Sequence, residues 1–229
     1  MAASFLESTP MGIIEISAQG IERSWRAKPA SHAVGALPTP SWWDGAPEAR
    51  TLAEAIHAGQ TRHGSSDPYF SHLAETAMVI GIFHAMGLLD DQELPSALAC
   101  AWLHDSMEDQ NYPKQKIAQA FGIQAAEIVD SLSKRDGPPS FDAMADSLSR
   151  ILMAGKIAAL VKAADRISNI SGAPPPAWSS KKVLAYGRQG LAIASALSPA
   201  LPKQAQKCLE NVAKAYLARI PSASAAPKP

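Results

Sequence analysis

The stretch that best indicates the fold ends an apolar segment, and its sequence is Leu103-His104-Asp105-Ser106-Met107-Glu108-Asp109. The apolar residues before it predict a largely buried helix over 92–107. On a helix, His104 and Glu108 share one face, and Asp105 and Asp109 share another. Because burying these groups without partners is costly, the stretch indicates either a divalent metal site or a solvated helix end.

Two other predicted helices carry residues of the same chemical type. His72 lies on the helix that we expect to begin at Asp67-Pro68, with Asp67 as N-cap. Asp165 ends another apolar run, where it needs a cation or hydrogen-bond donors, and Arg166 is the simplest partner. Each residue alone has a structural explanation. Together, three helices deliver ligand-type residues from an apolar background, which is how metal sites are assembled in helical cores.

Helical spacing dominates the chain, and segments with the alternating polarity of a half-buried strand are few. We therefore predict an all-α fold, a compact helical bundle. The segments 140–153 and 156–170 are either two helices or one bent helix. Helices are expected over 49–60, 68–86, 92–107, 113–120, 124–134, 140–153, 156–170, 178–197 and 202–219.

The two ends of the chain differ from this pattern. Residues 1–46 are rich in proline and predict an irregular N-terminal extension, with a short strand over 11–17 and Trp42-Trp43 docked on the domain. Residues 47–220 form the predicted domain. Residues 221–229, rich in alanine, serine and proline, predict a flexible tail.

Composition limits the classes of partner. The 229 residues contain 21 Lys+Arg and 21 Asp+Glu, so the formal net charge is zero. We therefore expect no nucleic-acid partner, whereas a small phosphorylated ligand is compatible with neutrality if a metal and local cations handle its charge. No signal peptide or apolar segment of about 20 residues is present, so we expect no membrane partner. Two distant cysteines, Cys100 and Cys208, favour a reduced cytoplasmic protein. The oligomeric state is not predicted.

The order His, then His-Asp, then Asp resembles the signature of the HD superfamily of metal-dependent phosphohydrolases. The flanking residues are similar to the hydrolase domain of RelA/SpoT proteins over roughly residues 48–200. The closest type is the stand-alone small alarmone hydrolase, such as the metazoan SpoT homologue. The segments that carry the resemblance are 57–62, 67–72, 103–109, 121–122, 132–134 and 161–169.

The resemblance implies a metal site, a catalytic pair and a reaction. The family usually holds Mn²⁺, although another divalent transition metal is open. Glu108 and Asp109 would position and deprotonate the attacking water. The reaction would remove the 3′-pyrophosphate from (p)ppGpp-type alarmones of the stringent response. The metal ligands would be His72, His104, Asp105 and Asp165.

The resemblance also implies contacts to a nucleotide substrate. Arg62 matches an arginine that packs against the purine base, and Asn169 matches an asparagine near the nucleoside. Gly172 stands where the family has a threonine near the base, so the guanosine and adenosine forms (ppGpp and ppApp) both stay open. The full set of expected contacts is Arg62, His63, Lys134, Lys162, Asn169 and Tyr186.

Two alternatives to the alarmone hydrolase stay open at this stage. One is an HD-type phosphatase that acts on NADPH or on a nucleotide monophosphate. The other is a non-enzymatic module that binds a nucleotide.

Overall fold

The N-terminal extension contains a small antiparallel sheet. The computed structural model of the protein describes residues 5–9, 12–17, 20–24, 45–137 and 142–219. Three strands, β1 (Phe5–Thr9), β2 (Gly12–Ser17) and β3 (Gly20–Ser24), pair in the order β1-β2-β3. β2 coincides with the strand expected over 11–17. The extension is therefore less irregular than predicted. The strands β1 and β3 were not predicted, because strands of five residues give little periodic signal in the sequence. The predicted docking of Trp42-Trp43 and the predicted tail over 221–229 lie outside the described residues.

The rest of the described chain is helical, which confirms the all-α prediction for the domain. The ends of most helices fall within three residues of their predicted positions; α1 ends four residues earlier than predicted. The helices are α1 (Pro47–Ile56), α2 (Phe70–Ala85), α3 (Leu94–Leu103), α4 (Ser106–Gln110), α5 (Lys114–Phe121), α6 (Ile123–Leu132), α7 (Ala143–Ala154), α8 (Lys156–Ser171), α9 (Ser180–Ala196) and α10 (Lys203–Ala218).

Helix α8 occupies the centre of the bundle. It packs against α2, α3, α6, α7, α9 and α10. Thirteen of its 16 residues are buried, far more than the single stripe that a surface helix hides. The buried set includes the polar residues Lys162, Asp165, Arg166 and Ser168. Because buried polar groups need partners, the middle of α8 is where a functional site is expected.

The segments 140–153 and 156–170 form two helices, α7 and α8. Asp142 caps α7 by accepting hydrogen bonds from the backbone N–H groups of Met144 and Ala145, each at 3.0 Å. Gly155 separates the two helices with φ 90° and ψ −159°. This backbone conformation is essentially restricted to glycine, so the chain turns here and does not bend smoothly.

The prediction of a single helix over 92–107 is wrong, because the structure divides this segment between α3 and α4. His104 and Asp105 lie in the break, and the Ser106 hydroxyl donates to the Leu103 carbonyl at 2.6 Å. Consecutive side chains on a straight helix diverge by about 100°. The break allows both side chains to point into the same site.

The predicted N-cap at Asp67 is also wrong, since α2 begins at Phe70. Residues 60–69 instead form a tight loop closed by an isolated bridge between Thr61 and Pro68. The Arg62 N–H donates to the Asp67 carbonyl at 2.9 Å, and the Tyr69 N–H donates to the Gln60 carbonyl at 2.8 Å. These bonds hold the Asp-Pro pair in the loop and outside α2. Within the described residues, no helix has both the length and the apolar character needed to cross a membrane.

Candidate functional site

Two histidines from separate elements meet in the centre of the bundle. His72, from α2, and His104, from the α3–α4 break, are each 2% exposed. Their Nε2 atoms lie 3.2 Å apart. The His104 Nδ1 lies 2.8 Å from the Ala101 carbonyl, which can only accept, so Nδ1 carries a proton. The neutral ring therefore presents its Nε2 lone pair to the site.

Two carboxylates complete the group. Asp165 Oδ1, from α8, lies 3.4 Å from His72 Nε2 and 3.8 Å from His104 Nε2. Asp105 Oδ2 lies 2.8 Å from His104 Nε2 and 3.4 Å from His72 Nε2. The ligand atoms of His72, His104 and Asp165 all lie within 4.8 Å of one another. The structure thus brings together the four residues predicted as metal ligands.

The spacing of these atoms fits a shared cation. Bonds of about 2.0–2.2 Å from one metal to N and O ligands place neighbouring ligand atoms roughly 3–3.5 Å apart. The observed separations of 2.8–3.8 Å bracket that range. Two imidazole and two carboxylate ligands suit Mn²⁺, Fe²⁺ or Zn²⁺.

The charges of the group are strongly coupled. Burial alone would lower the pKa of His104, but the neighbouring carboxylates of Asp105 and Asp165 raise it to about 9. Burial alone would raise the pKa of Asp105, but His104 and His72 hold that pKa well below its usual range. The pKa of Asp165 is likewise lowered against the effect of burial, first by Lys162 and then by the histidines. The acids are therefore ionised, and a bound cation would displace protons from the histidines.

Tyr69 supports Asp105 from the side. Its hydroxyl donates to Asp105 Oδ2 at 2.5 Å. Burial and the Asp105 carboxylate raise the pKa of Tyr69 far above its usual value, so the phenol remains a hydrogen-bond donor.

Glu108 and Asp109, the predicted catalytic pair, line the same cavity as the ligand group. Glu108 accepts two hydrogen bonds from Lys134, one from its backbone N–H at 2.8 Å and one from its ammonium at 2.5 Å. Asp109 Oδ2 accepts from Gln60 Nε2 at 2.8 Å. Both carboxylates are held in place and remain partly exposed, so either can act as a proton acceptor once a water is positioned.

Three of the predicted substrate cations are already paired with acids. Arg62 bonds Glu75 at 2.8 Å, and Lys162 bonds Asp165 at 2.9 Å. Lys134 holds Glu108, as described above. Asn169 donates to Asp165 Oδ1 at 2.6 Å. The expectation that Arg166 pairs with Asp165 is wrong. The Arg166 guanidinium lies 4.4 Å from the centre of the Tyr186 ring, and Lys162 pairs with Asp165 instead.

A cavity of about 650 Å³ opens beside the ligand group, a volume suited to a nucleotide. One wall is aromatic: Trp178 and Tyr186 pack edge to face at 4.9 Å, and the His63 ring lies 5.9 Å from Trp178. Of the predicted site residues, only His104 does not line it. The predicted residues that do line it are Arg62, His63, His72, Asp105, Glu108, Asp109, Lys134, Lys162, Asp165, Asn169 and Tyr186.

Sequence reasoning missed several supporting residues. Tyr69 contacts Asp105, 36 residues away, and Gln60 contacts Asp109, 49 residues away. No local sequence pattern predicts contacts over such distances. Glu75 and Ser168, which contact one another across α2 and α8, were missed for the same reason. An acid inside the apolar α2 was the one available signal, since a buried carboxylate requires partners.

The comparisons with known proteins agree with this geometry. The sequence profile of the HD domain family matches residues 49–193. The chain is 34% identical over 118 residues to the GTP pyrophosphokinase rsh of Brucella ovis, a match that covers 49% of this chain and 15% of that protein. It is 38% identical over 85 residues to the guanosine-3′,5′-bis(diphosphate) 3′-pyrophosphohydrolase of Haemophilus influenzae, covering 37% and 11% respectively. The chain thus corresponds to a small part of these relatives.

A solved structure shares the fold over nearly its whole length. It is described as a metazoan orthologue of SpoT that hydrolyses ppGpp and plays a role in starvation responses. The TM-score is 0.63 at 18% identity, and the match covers 78% of this chain and 98% of that one. These findings confirm the resemblance to RelA/SpoT-type proteins: the chain belongs to the HD domain family.

Proposed function

We propose that this protein is a Mn²⁺-dependent hydrolase that removes the 3′-pyrophosphate from (p)ppGpp-type alarmones, in the guanosine or the adenosine form. The observation that carries the proposal is the convergence of His72, His104, Asp105 and Asp165 at 2.8–3.8 Å beside a nucleotide-sized cavity. The proposal is further supported by relatives whose names include a 3′-pyrophosphohydrolase of guanosine bis(diphosphate). All proposed site residues fall within 47–220, the proposed catalytic domain.

The proposed ligands would hold one divalent cation between α2, the α3–α4 break and α8. Such a cation polarises a water and offsets the negative charge on the phosphoryl oxygens. The hydrogen bond from Tyr69 fixes the orientation of Asp105, and Lys162 and Asn169 fix that of Asp165. Because these carboxylates are already oriented, little reorganisation is needed on binding.

Glu108 and Asp109 would orient the attacking water and accept its proton. Lys134 holds Glu108 through two hydrogen bonds, and Gln60 holds Asp109. A fixed carboxylate next to polarised water is the arrangement that general-base catalysis requires. The pyrophosphate leaving from the 3′ position would carry negative charge, which the remaining ammonium donors of Lys134 and Lys162 would meet while each lysine keeps its carboxylate partner.

The aromatic wall would receive the nucleoside. Arg62, His63 and Tyr186 line the cavity, where a purine ring would have apolar and cationic surfaces to contact. Asn169, which donates to Asp165 Oδ1, also lines the cavity and would contact the ribose.

The experiment is a comparison of substrates with purified, Mn²⁺-loaded protein. Nucleotide chromatography would follow ppGpp, ppApp and NADPH in parallel, with Asp105→Ala as the control. Release of pyrophosphate from ppGpp or ppApp by the wild type, and its loss in the variant, is the expected result. Phosphate release from NADPH without turnover of either alarmone would replace the proposal by an HD-type phosphatase. A nucleotide complex that persists without hydrolysis would indicate a binding module.

A further inference from the structure

A chain of hydrogen bonds runs from His72 to the cavity wall. The His72 Nδ1 lies 2.9 Å from Ser168 Oγ, and the Ser168 hydroxyl donates to Glu75 Oε2 at 2.6 Å. The same Glu75 oxygen accepts from Arg62 Nη1 at 2.8 Å. His72 and Ser168 are each 2% exposed, and Glu75 is 6% exposed, so water does not substitute for these contacts.

The direction of the protons in this chain follows from chemistry. A serine hydroxyl has one proton, and an ionised carboxylate beside Arg62 can only accept. The Ser168 proton therefore goes to Glu75, and the Ser168 oxygen is left to accept from His72. The His72 Nδ1 must then carry a proton, and its Nε2 lone pair faces His104 and the two aspartates.

The two histidines are oriented by different means. His104 donates to a backbone carbonyl, that of Ala101, which no side-chain substitution removes. His72 depends on two side chains, Ser168 on α8 and Glu75 on α2. Orientation of a metal-binding imidazole through its second nitrogen commonly sets metal affinity within a factor of about 10 to 100.

We infer that Ser168 and Glu75 are positioning residues that hold His72 in the tautomer able to bind a metal, and that Glu75 ties this orientation to Arg62 on the nucleotide-facing wall. The inference rests on the proposed metal site. Glu75 Oε2 accepts hydrogen bonds both from Ser168, next to the proposed ligand His72, and from Arg62 on the cavity wall. The proposed metal site and the cavity wall are therefore linked through a single buried carboxylate.

The test measures Mn²⁺ affinity directly, by electron paramagnetic resonance of free Mn²⁺ titrated against metal-stripped protein. Ser168→Ala and Glu75→Met, which removes both acceptor oxygens, should each weaken binding by about 10- to 100-fold. Because the two side chains act in series, the double variant should bind no more weakly than the weaker single variant. Ser168→Thr, which keeps the hydroxyl, should restore most of the affinity.

The matched control is Ser171→Ala. Ser171 is buried on the same helix, three residues further on, and its hydroxyl donates only locally to the Ile167 carbonyl at 2.6 Å. This variant should bind Mn²⁺ as the wild type does. Equal losses in Ser168→Ala and Ser171→Ala would indicate a general packing effect and overturn the inference, as would unchanged affinity in Ser168→Ala.

The test of this inference can be distinguished from the test of the proposed function. Wild-type protein that binds Mn²⁺ without hydrolysing an alarmone contradicts the proposed reaction, while the affinities of the variants still decide the role of Ser168 and Glu75. Wild-type protein that binds no divalent cation overturns the inference together with the metal site.

Discussion

Glu108 and Asp109 are neighbours in sequence but are held by different partners. Lys134 binds Glu108 through its backbone and its ammonium, whereas Gln60 reaches Asp109 from the loop after α1. Neither acid belongs to the group of converging ligand atoms. Their proposed role is therefore in proton transfer, which can be separated from metal binding by mutation.

We predict that Glu108→Gln lowers turnover of the alarmone by about 100- to 10,000-fold, because an amide cannot accept the proton of the attacking water. Mn²⁺ affinity should remain within about threefold of the wild type, since Glu108 is not among the proposed ligands. Steady-state kinetics and a Mn²⁺ titration check both values. The matched control is Glu127→Gln, a 55% exposed acid that pairs with Lys114 and should leave both unchanged. Full activity in Glu108→Gln would contradict the assignment.

The histidines make the stability of the metal-free protein depend on pH. The Asp105 and Asp165 carboxylates outweigh burial and raise the pKa of His104 from 6.5 to about 9. Between these values the folded state binds more protons than the unfolded state, so this stabilisation is full below about pH 6.5 and is lost towards pH 9. We predict that the free energy of unfolding in EDTA falls over this interval, as measured by urea unfolding.

Bound Mn²⁺ should reverse that slope near pH 6.5. The metal-bound histidines keep no proton on Nε2, so the unfolded state binds more protons and stability rises with pH. His84→Asn serves as a control, because His84 pairs with Asp91 at the surface and its loss should leave the difference between the metal-free and Mn²⁺-bound slopes unchanged. A metal-free protein whose stability is flat or rises from pH 6.5 to 9 would contradict the coupling.

The sequence could predict these residues only in part. His72, His104, Asp105 and Asp165 were recognisable because ligand-type side chains interrupt apolar helical segments, and such interruptions are costly unless they are partnered. The partners Glu75 and Ser168 were not recognisable, because their contact spans 93 residues and depends on how α2 lies against α8. The pairing of Arg62 and Lys162 with acids was missed for the same reason.

Among the elements, the junctions between helices decide where the site forms. Most helix ends follow from apolar spacing and from Gly and Pro, whereas the break between α3 and α4, which has neither residue, adds a helix that the sequence did not predict. In the break, Asp105 lies 3.4 Å from His72 on α2, and His104 lies 3.8 Å from Asp165 on α8. These contacts are tertiary and leave no trace in the local sequence pattern. Local pattern therefore predicted one continuous helix.

We predict that Gly155→Ala lowers the free energy of unfolding by about 1–3 kcal/mol. Its φ of 90° and ψ of −159° lie in a region that side-chain-bearing residues rarely adopt, although no neighbouring atom would meet the added Cβ. The cost is thus one of backbone strain between α7 and α8. Urea unfolding measures it, and Met153→Ala, at a side chain 79% exposed, should stay within about 0.5 kcal/mol of the wild type. If Gly155→Ala leaves the free energy of unfolding unchanged, the backbone between α7 and α8 adopts another conformation without cost, and the prediction is wrong.

For the whole molecule, the proposed metal site lies where three helical segments meet. A cation bound only by the folded state stabilises it by about 2.7 kcal/mol at a concentration 100-fold above its dissociation constant. For a protein of this size that corresponds to roughly 5–10 °C in melting temperature. We predict such an increase when Mn²⁺ replaces EDTA, measured by calorimetry.

Asp165→Ala should abolish that increase, because Asp165 is the ligand that we propose on α8. Asp146→Ala, which removes an acid that pairs with Arg150 on α7, should leave the increase intact. An equal increase in all three proteins would show that Mn²⁺ binds elsewhere.

Arg62, Lys134 and Lys162 each already contact a carboxylate, that of Glu75, Glu108 and Asp165 respectively. A simple anion that enters must compete with carboxylates already in contact, and it gains little. A long polyanion attached to an aromatic base can offset that exchange through several contacts at once. The site would then bind inorganic phosphate weakly and discriminate against it in favour of the larger nucleotide.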